Sequence, residues 1–145
     1  MMELSYIRAD KTDVEAIFLM NRLQIEAYEN PETARDPKVT QWVGRNIQTH
    51  IHEYVCVLLD GQKAAYYRIR RDGDGLSLDD LCVLPEYRGR GIGTAILQRC
   101  VSRAAVPTGL YVFIRNEQAV ALYRKAGFTV TETVRGSLYK MVRQP

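Results

Sequence analysis

The chain carries three alternating glycines in Arg88-Gly89-Arg90-Gly91-Ile92-Gly93-Thr94, set between the apolar run Leu81–Leu84 and a second apolar stretch beginning at Ile92. Glycine lacks a Cβ, so such a segment bends sharply and lets a ligand come close to the main chain. A helix that starts at the end of the turn has amides with no intrahelical partner, and its dipole adds partial positive charge there. That combination suits a phosphate or diphosphate. Arg88 and Arg90 add full charges at the rim. A strand before the turn and a helix after it place the chain among α/β folds.

The turn is not a Walker A loop, which ends in Gly-Lys-Ser/Thr where this chain has Gly93-Thr94-Ala95. It is not a Rossmann fingerprint either, because counting Gly-x-Gly-x-x-Gly from Gly89 puts Thr94 in the last place. A glycine-rich turn that merely starts a helix is the plain alternative.

The rest of the chain supplies elements on both sides. Leu4–Arg8 reads as a strand. Thr12-Asp13-Val14-Glu15 has the form of a capping box, opening a helix to about Ala27 with Val14, Ile17, Phe18 and Ile25 on one face. A polar loop over 28–35 precedes Asp36-Pro37, an N-cap followed by proline at the first helical position. Val39, Trp42, Val43 and Ile47 are the expected buried stripe of that second helix. Tyr54–Leu59 and Ala64–Arg70 are strands joined by Asp60-Gly61, a strong hairpin signal. Leu76–Leu84 is the next strand, then the glycine turn, a helix through Ala105, a strand over Leu110–Ile114, a helix over Glu117–Ala126, and strands near Phe128–Thr133 and Ser137–Val142. The predicted order is β-α-α-β-β-β-α-β-α-β-β, a mixed sheet flanked by helices. A length of 145 residues with 46% hydrophobic content suits one domain over 1–145.

A second segment bears on chemistry. Asn116 and Tyr123 are seven residues apart, close to two helical turns, so both project on one side. Each residue of the segment has a structural reading of its own: Asn116 as an N-cap, Tyr123 as an ordinary amphipathic helix residue, Gly127 as the residue after a helix end, Phe128 as a core anchor. Taken with the turn, the pattern resembles the GNAT superfamily of N-acetyltransferases. Arg88-Gly89-Arg90-Gly91-Ile92-Gly93 matches that family's Arg/Gln-x-x-Gly-x-Gly/Ala turn. Asn116-x-x-Ala119-x-x-x-Tyr123-x-x-x-Gly127-Phe128 resembles its second coenzyme A segment. The likeness covers roughly the second half of the chain; before Glu53 it is only order of elements.

The resemblance implies acetyl-CoA as co-substrate, with the backbone amides of Arg88, Gly89, Arg90, Gly91, Ile92, Gly93 and Thr94 on its diphosphate. It implies main-chain pairing of Leu81 and Val83 with the pantetheine arm, which adds like an extra strand. It further implies Asn116 on the arm and Tyr123 near the sulfur. Attack of an amine on a thioester needs a neutral amine, a polarised carbonyl and a proton for the leaving thiolate. A tyrosine of ordinary pKa about 10 is protonated at neutral pH and can give that proton. A strand amide near Cys82 or Val83 would polarise the carbonyl.

Asp79 and Asp80 are candidate bases, and the resemblance, to a family that often has an acid at the place matching Asp79, makes Asp79 the expected one, through water, with Asp80 second. Neighbouring strand residues face opposite sides, so both reach one site only across a bulge. Proton removal without a dedicated residue is the third possibility. Cys82 as a covalent nucleophile lacks a nearby histidine.

The acceptor is expected to be a primary amine. Glu26, Glu29, Glu32 and Asp36, in the region where the family builds its acceptor pocket, favour a small cationic amine such as a polyamine. A protein N-terminus or lysine, an aminoglycoside and an amino acid are alternatives, as is a non-catalytic acyl-CoA-binding module on the same fold. A net charge of +3 is only mildly basic and its positive residues are scattered, except for Arg68, Arg70 and Arg71 and the pair Arg88 and Arg90, so no nucleic-acid partner is expected. Three cysteines without metal-type spacing and two histidines, His50 and His52, lead us to expect free thiols and no metal. No apolar run approaches the ~18 residues of a membrane span, so a cytoplasmic protein with no membrane partner is expected. The terminal strands offer edges for a homodimer.

Overall fold

The computed structural model describes residues 2–145. Strand β1 (Leu4–Arg8) leads to helix α1 (Val14–Tyr28), the single-turn α2 (Pro31–Ala34) and α3 (Pro37–His50). Then come β2 (Tyr54–Leu59), β3 (Gln62–Asp72), β4 (Gly75–Val83), α4 (Ile92–Val101), β5 (Thr108–Phe113), α5 (Glu117–Lys125), β6 (Thr129–Val134) and β7 (Leu138–Arg143). The strands form one mixed sheet in the order β1-β2-β3-β4-β5-β7-β6, antiparallel throughout except for β4 beside β5. This is the α/β architecture expected from the sequence, with α2 added inside the polar loop.

Alternation along the strands divides the apolar side chains between two faces. Ile17 and Met20 of α1 and Val43 and Ile47 of α3 pack on Tyr54, Cys56, Tyr66 and Cys82. On the opposite face Ile92, Ile96 and Leu97 of α4 and Tyr123 of α5 pack on Val57, Ala65, Leu78, Leu110 and Met141. Burying each large side chain of this kind stabilises the fold by about 1.5–3 kcal/mol. The sheet is therefore covered on both sides, and its open edges are β1 and β6.

Three local expectations are corrected. The capping box sits two residues earlier: Asp10 accepts from the Thr12 amide, while the Asp13 carboxylate accepts from the Asp10 amide at 2.9 Å. Asp13 closes the box because its side chain is also needed in the interior. Trp42 is 63% exposed, since Val43 and Ile47 set the buried face of α3 and Trp42 lies about 100° round the helix. Helix α4 ends at Val101, short of Ala105.

Two features of β4 shape the molecule's centre. Its parallel pairing with β5 is limited to Leu76 with Thr108 and Ser77 with Gly109; β5 then follows β7 along its whole length. The two strands splay beyond Ser77, leaving one flank of β4 without a strand partner. They meet at Gly75, where an added Cβ would stand 2.7 Å from the Pro107 carbonyl oxygen that accepts from the Leu76 amide. The second feature lies against β3. Tyr66 faces Cys82 and Arg68 faces Asp79, so Tyr67 alone opposes Asp80 and Leu81. This is a β-bulge, and Asp80 adopts φ 54° within it.

Candidate active site

The splay of β4 and β5 opens a cavity of about 940 Å³ roofed by α1 and α3 and floored by β3, β4 and β5. The bulge lets both neighbouring carboxylates, Asp79 and Asp80, line it. Leu81, Cys82, Asn116 and Tyr123 line it as well. Two segments far apart in the chain thus converge where the strands part.

Asp79 and Asp80 stand in different surroundings. Asp79 is engaged through both oxygens: Arg70 Nε donates to one at 2.6 Å and Ser77 Oγ to the other at 2.8 Å. Asp80 accepts the Tyr54 hydroxyl at 2.5 Å. Burial pushes the Asp80 carboxyl above the usual range, the Tyr54 hydrogen bond pulls it back, the nearby Asp79 charge raises it, and Arg68 opposes that. The outcome is a carboxylate with raised basicity, the direction a general base needs. Asp79, the first sequence candidate, is held as an ion-pair partner of Arg70 instead.

Tyr123 is 8% exposed and lies edge-on to Phe128 at a centroid separation of 5.9 Å. The end of α5 fixes that contact: the Phe128 amide donates to the Tyr123 carbonyl and the Gly127 amide to the Arg124 carbonyl, with Gly127 at φ 97°. Tyr123 lines the cavity. Burial raises its pKa, and the neighbouring Cys82 and Asp80 add to the effect, so the hydroxyl holds its proton at neutral pH. Burial also pushes the Cys82 thiol up to about 12. A protonated thiol is a poor nucleophile, which removes the basis for a covalent role. Asn116 caps α5, its Oδ1 accepting from the Ala119 amide at 3.3 Å, and leaves its side-chain NH2 free for the cavity.

The glycine turn lies at the outer end of β4. Gly91, at φ 80°, is the N-cap of α4, and no side chain among the described residues caps that helix. Among the described residues the amides of Gly89, Arg90, Gly91, Ile92, Gly93 and Thr94 have no protein acceptor. The Arg88 amide differs, donating to the Pro85 carbonyl at 3.3 Å. A Cβ on Gly89 or Gly91 would meet nothing within 4 Å, so the space before these amides is open. Arg88 Nε donates to the Val83 carbonyl at 3.0 Å, and Arg90 lies over the Tyr87 ring while donating to the Glu86 carbonyl at 3.3 Å. The Val83 carbonyl is therefore taken. Leu84 donates to Ala64, so by alternation the main chain of Leu81 and Val83 turns to the flank that β5 has left. A row of free amides with two arginines beside it fits the diphosphate of coenzyme A.

The structure brings in residues that the motifs did not nominate. Tyr54, at the start of β2, is fully buried and supplies the Asp80 hydrogen bond. Arg68, in the middle of β3, is 7% exposed and lines the cavity. Its signal in the sequence is a charge inside the apolar run Ala64–Ile69. Tyr54 left no signal beyond its place in an apolar strand. Among the described residues, no group of three or more His, Cys, Asp or Glu side chains is placed to hold a metal, and no helix is long and apolar enough to cross a membrane.

The fold is shared with known proteins. A structure of the PaiA N-acetyltransferase of Thermoplasma acidophilum in complex with coenzyme A superposes with a TM-score of 0.75, covering 99% of this chain and 100% of that one at 18% identity. The spermidine N-acetyltransferase of Vibrio cholerae, in complex with coenzyme A and spermine, gives a TM-score of 0.68 over 97% of this chain and 95% of that one, at 16% identity. At such identities the likeness is one of fold. An uncharacterised N-acetyltransferase of Methanocaldococcus jannaschii is 34% identical over 71 residues, 46% of this chain and 31% of that protein. The chain spans between 17% and 54% of the length of the curated relatives it matches. The family described as Acetyltransferase (GNAT) domain matches residues 51–130, the stretch that holds β4, the glycine turn and α5. The chain belongs to the GNAT acetyltransferase family.

Proposed function

We propose that the protein is an acetyl-CoA-dependent N-acetyltransferase acting on a primary amine by direct attack. The observation that carries this reading is the row of unpartnered amides from Gly89 to Thr94, at the end of the strand whose free flank borders Asp80 and Tyr123. A coenzyme A thioester, when bound, supplies the acetyl group. The Gly89–Thr94 amides, with Arg88 and Arg90 beside them, hold the diphosphate. The outward main chain of Leu81 and the Val83 amide offer hydrogen bonds to the pantetheine arm, and the Asn116 NH2 adds another. A main-chain amide of β4 polarises the carbonyl.

Proton traffic belongs to two side chains. Asp80 takes a proton from the attacking amine, a role its raised pKa supports better than the ion-paired Asp79. Tyr123 keeps a proton on Oη and gives it to the departing sulfur. Tyr54 positions the Asp80 carboxylate.

The carboxylates that suggested a polyamine are mostly elsewhere: of Glu26, Glu29, Glu32 and Asp36, only Glu29 lines the cavity. Glu29 is already met by Arg135 at 3.4 Å. The reading includes a homodimer through an open sheet edge, measurable by light scattering, and a reducing, cytoplasmic setting suited to the free Cys56, Cys82 and Cys100. The deciding experiment is thermal denaturation with and without acetyl-CoA, followed by thiol release with a panel of amines. Stabilisation with amine-dependent release is expected. Stabilisation without release from any amine indicates a binding module, and neither effect means the turn holds something else.

A further inference from the structure

The charge lining the cavity departs from what the polar loop suggests. Lys38, Arg68, Arg70 and Arg135 line it, against the carboxylates Glu29, Asp79 and Asp80. Arg70 and Arg135 are answered by Asp79 and Glu29. Arg68 is answered only in part. Its Nη2 donates to Glu53 at 3.1 Å, its Nε is buried without a partner, and its Nη1 has no protein acceptor among the described residues. Glu53 is itself largely exposed and shared with His50, 2.6 Å away. A guanidinium has five N–H donors, and one so thoroughly removed from water normally has them filled, because an incompletely paired buried charge is costly. Arg68 lines the cavity, and its unfilled Nη1 is the donor left for another anion.

Its position gives that vacancy a meaning. Arg68 stands on β3 between Tyr54 of β2 and Asp79 of β4, opposite the edge of the bulge that presents Asp80. The charge of Arg68 is felt at Asp80 and at the Tyr54 hydroxyl. The cavity floor therefore sets a hydrogen-bond acceptor for an amine beside a donor fork for a carboxylate. Met20, Ile25, Val39 and Trp42 border the same space and would face an apolar remainder.

Resting on the N-acetyltransferase reading, we infer that the acceptor is a free amino acid, its amine held at Asp80 and its own carboxylate at Arg68. Arg68 is then the residue that sets acceptor specificity. In the transfer the amine nitrogen bonds to the acyl carbon as the carbon–sulfur bond breaks. Of the three ammonium protons, one stays on nitrogen, one ends on sulfur and one passes to solvent. A polyamine lacks the group that Arg68 selects, and so does a peptide N-terminus, whose α-carboxyl is locked in an amide.

The test is calorimetric titration of the protein saturated with coenzyme A, which permits binding without transfer. The probes are the twenty common amino acids, the amide of each, and spermidine. At least one amino acid should bind about 10- to 100-fold more tightly than its amide, the usual worth of a charge-assisted hydrogen-bond pair. Arg68→Gln should abolish that difference while coenzyme A still raises the melting temperature, and Arg68→Lys should restore part of it. If Arg68→Gln fails to fold, the comparison of acid with amide on the unaltered protein decides alone. Equal binding of acid and amide, preference for spermidine, or binding of no amino acid overturns the inference while coenzyme A stabilisation leaves the transferase reading standing. Loss of that stabilisation in the unaltered protein removes both.

Discussion

Two tyrosine–carboxylate pairs stand on the same face of the sheet and have opposite characters. Asp13 is 3% exposed and receives three donors: Lys63 Nζ at 2.7 Å, the Tyr66 hydroxyl at 2.8 Å and the Asp10 amide at 2.9 Å. Burial alone would raise its pKa, but these donors outweigh it and the carboxyl sits below its ordinary value. Asp80 has the Tyr54 hydroxyl, a like charge beside it in Asp79, and a raised pKa. The difference lies in how many donors stabilise the charged form. A filled shell makes a structural carboxylate that ties the first loop to the sheet. An underfilled one leaves a carboxylate that gains from accepting a proton.

This contrast can be broken at several points. The largest effect is expected from Asp80→Asn, which should lower kcat/KM by about 10²- to 10⁴-fold, the usual contribution of a positioned acid or base. Its melting temperature at neutral pH should hold or rise, because a charge whose pKa the fold raises is gone. Unchanged steady-state rates would take the base role from Asp80. Tyr123→Phe should lower kcat while leaving coenzyme A-induced stabilisation intact, and an unaltered kcat would remove the hydroxyl from the proton path.

Asp13→Ala should act on stability alone. It leaves the Tyr66 hydroxyl and the Asp10 amide without their acceptor, at a cost of about 1–3 kcal/mol. Chemical denaturation should reveal that loss, and a variant as stable as the parent would show that the shell adds nothing.

The pH dependence sharpens the pair further, and the signs are opposite. For Asp13, with its folded pKa depressed, stability is present above the unfolded value and is lost as pH falls through the folded one. For Asp80, with its folded pKa raised, stability is present below the unfolded value and is lost as pH rises through the folded one. Melting curves between acid and neutral pH should show the Asp13→Ala deficit shrinking on acidification. The Asp80→Asn advantage should grow as pH rises. The smallest effect is expected from Tyr54→Phe, which removes a donor to the charged form and so moves the acid limb of the pH–rate profile upward; a stationary limb would detach Tyr54 from the base.

Much of this was legible in the residues and some was not. The hairpin at Asp60-Gly61, both at positive φ, and the Gly91 N-cap follow from local chemistry that a sequence displays directly. The mixed sheet and its element order followed from periodicity and turn residues. Trp42 misled because an aromatic at nearly the right helical spacing looks like core, although Val43 and Ile47 suffice to cover the sheet. The choice between Asp79 and Asp80 depended on a bulge that no local residue announces. Ion pairing across β3, from Arg70 and not Arg68, then decided which carboxylate was engaged. The role of Arg68 required knowing that its fork is only partly filled, a fact that arises from three strands meeting.

Gly75 sits at the vertex from which β4 and β5 diverge, with the Pro107 oxygen against the place a methyl would occupy. The width of the cavity is thus governed from its closed end, as the jaws of a clamp are governed by their pivot. Alanine at 75 would push the strand roots apart and alter the gap between Asp80 and Tyr123 without touching either residue. Variation at this remote glycine would change the shape of the cavity while the groups that line it stay the same.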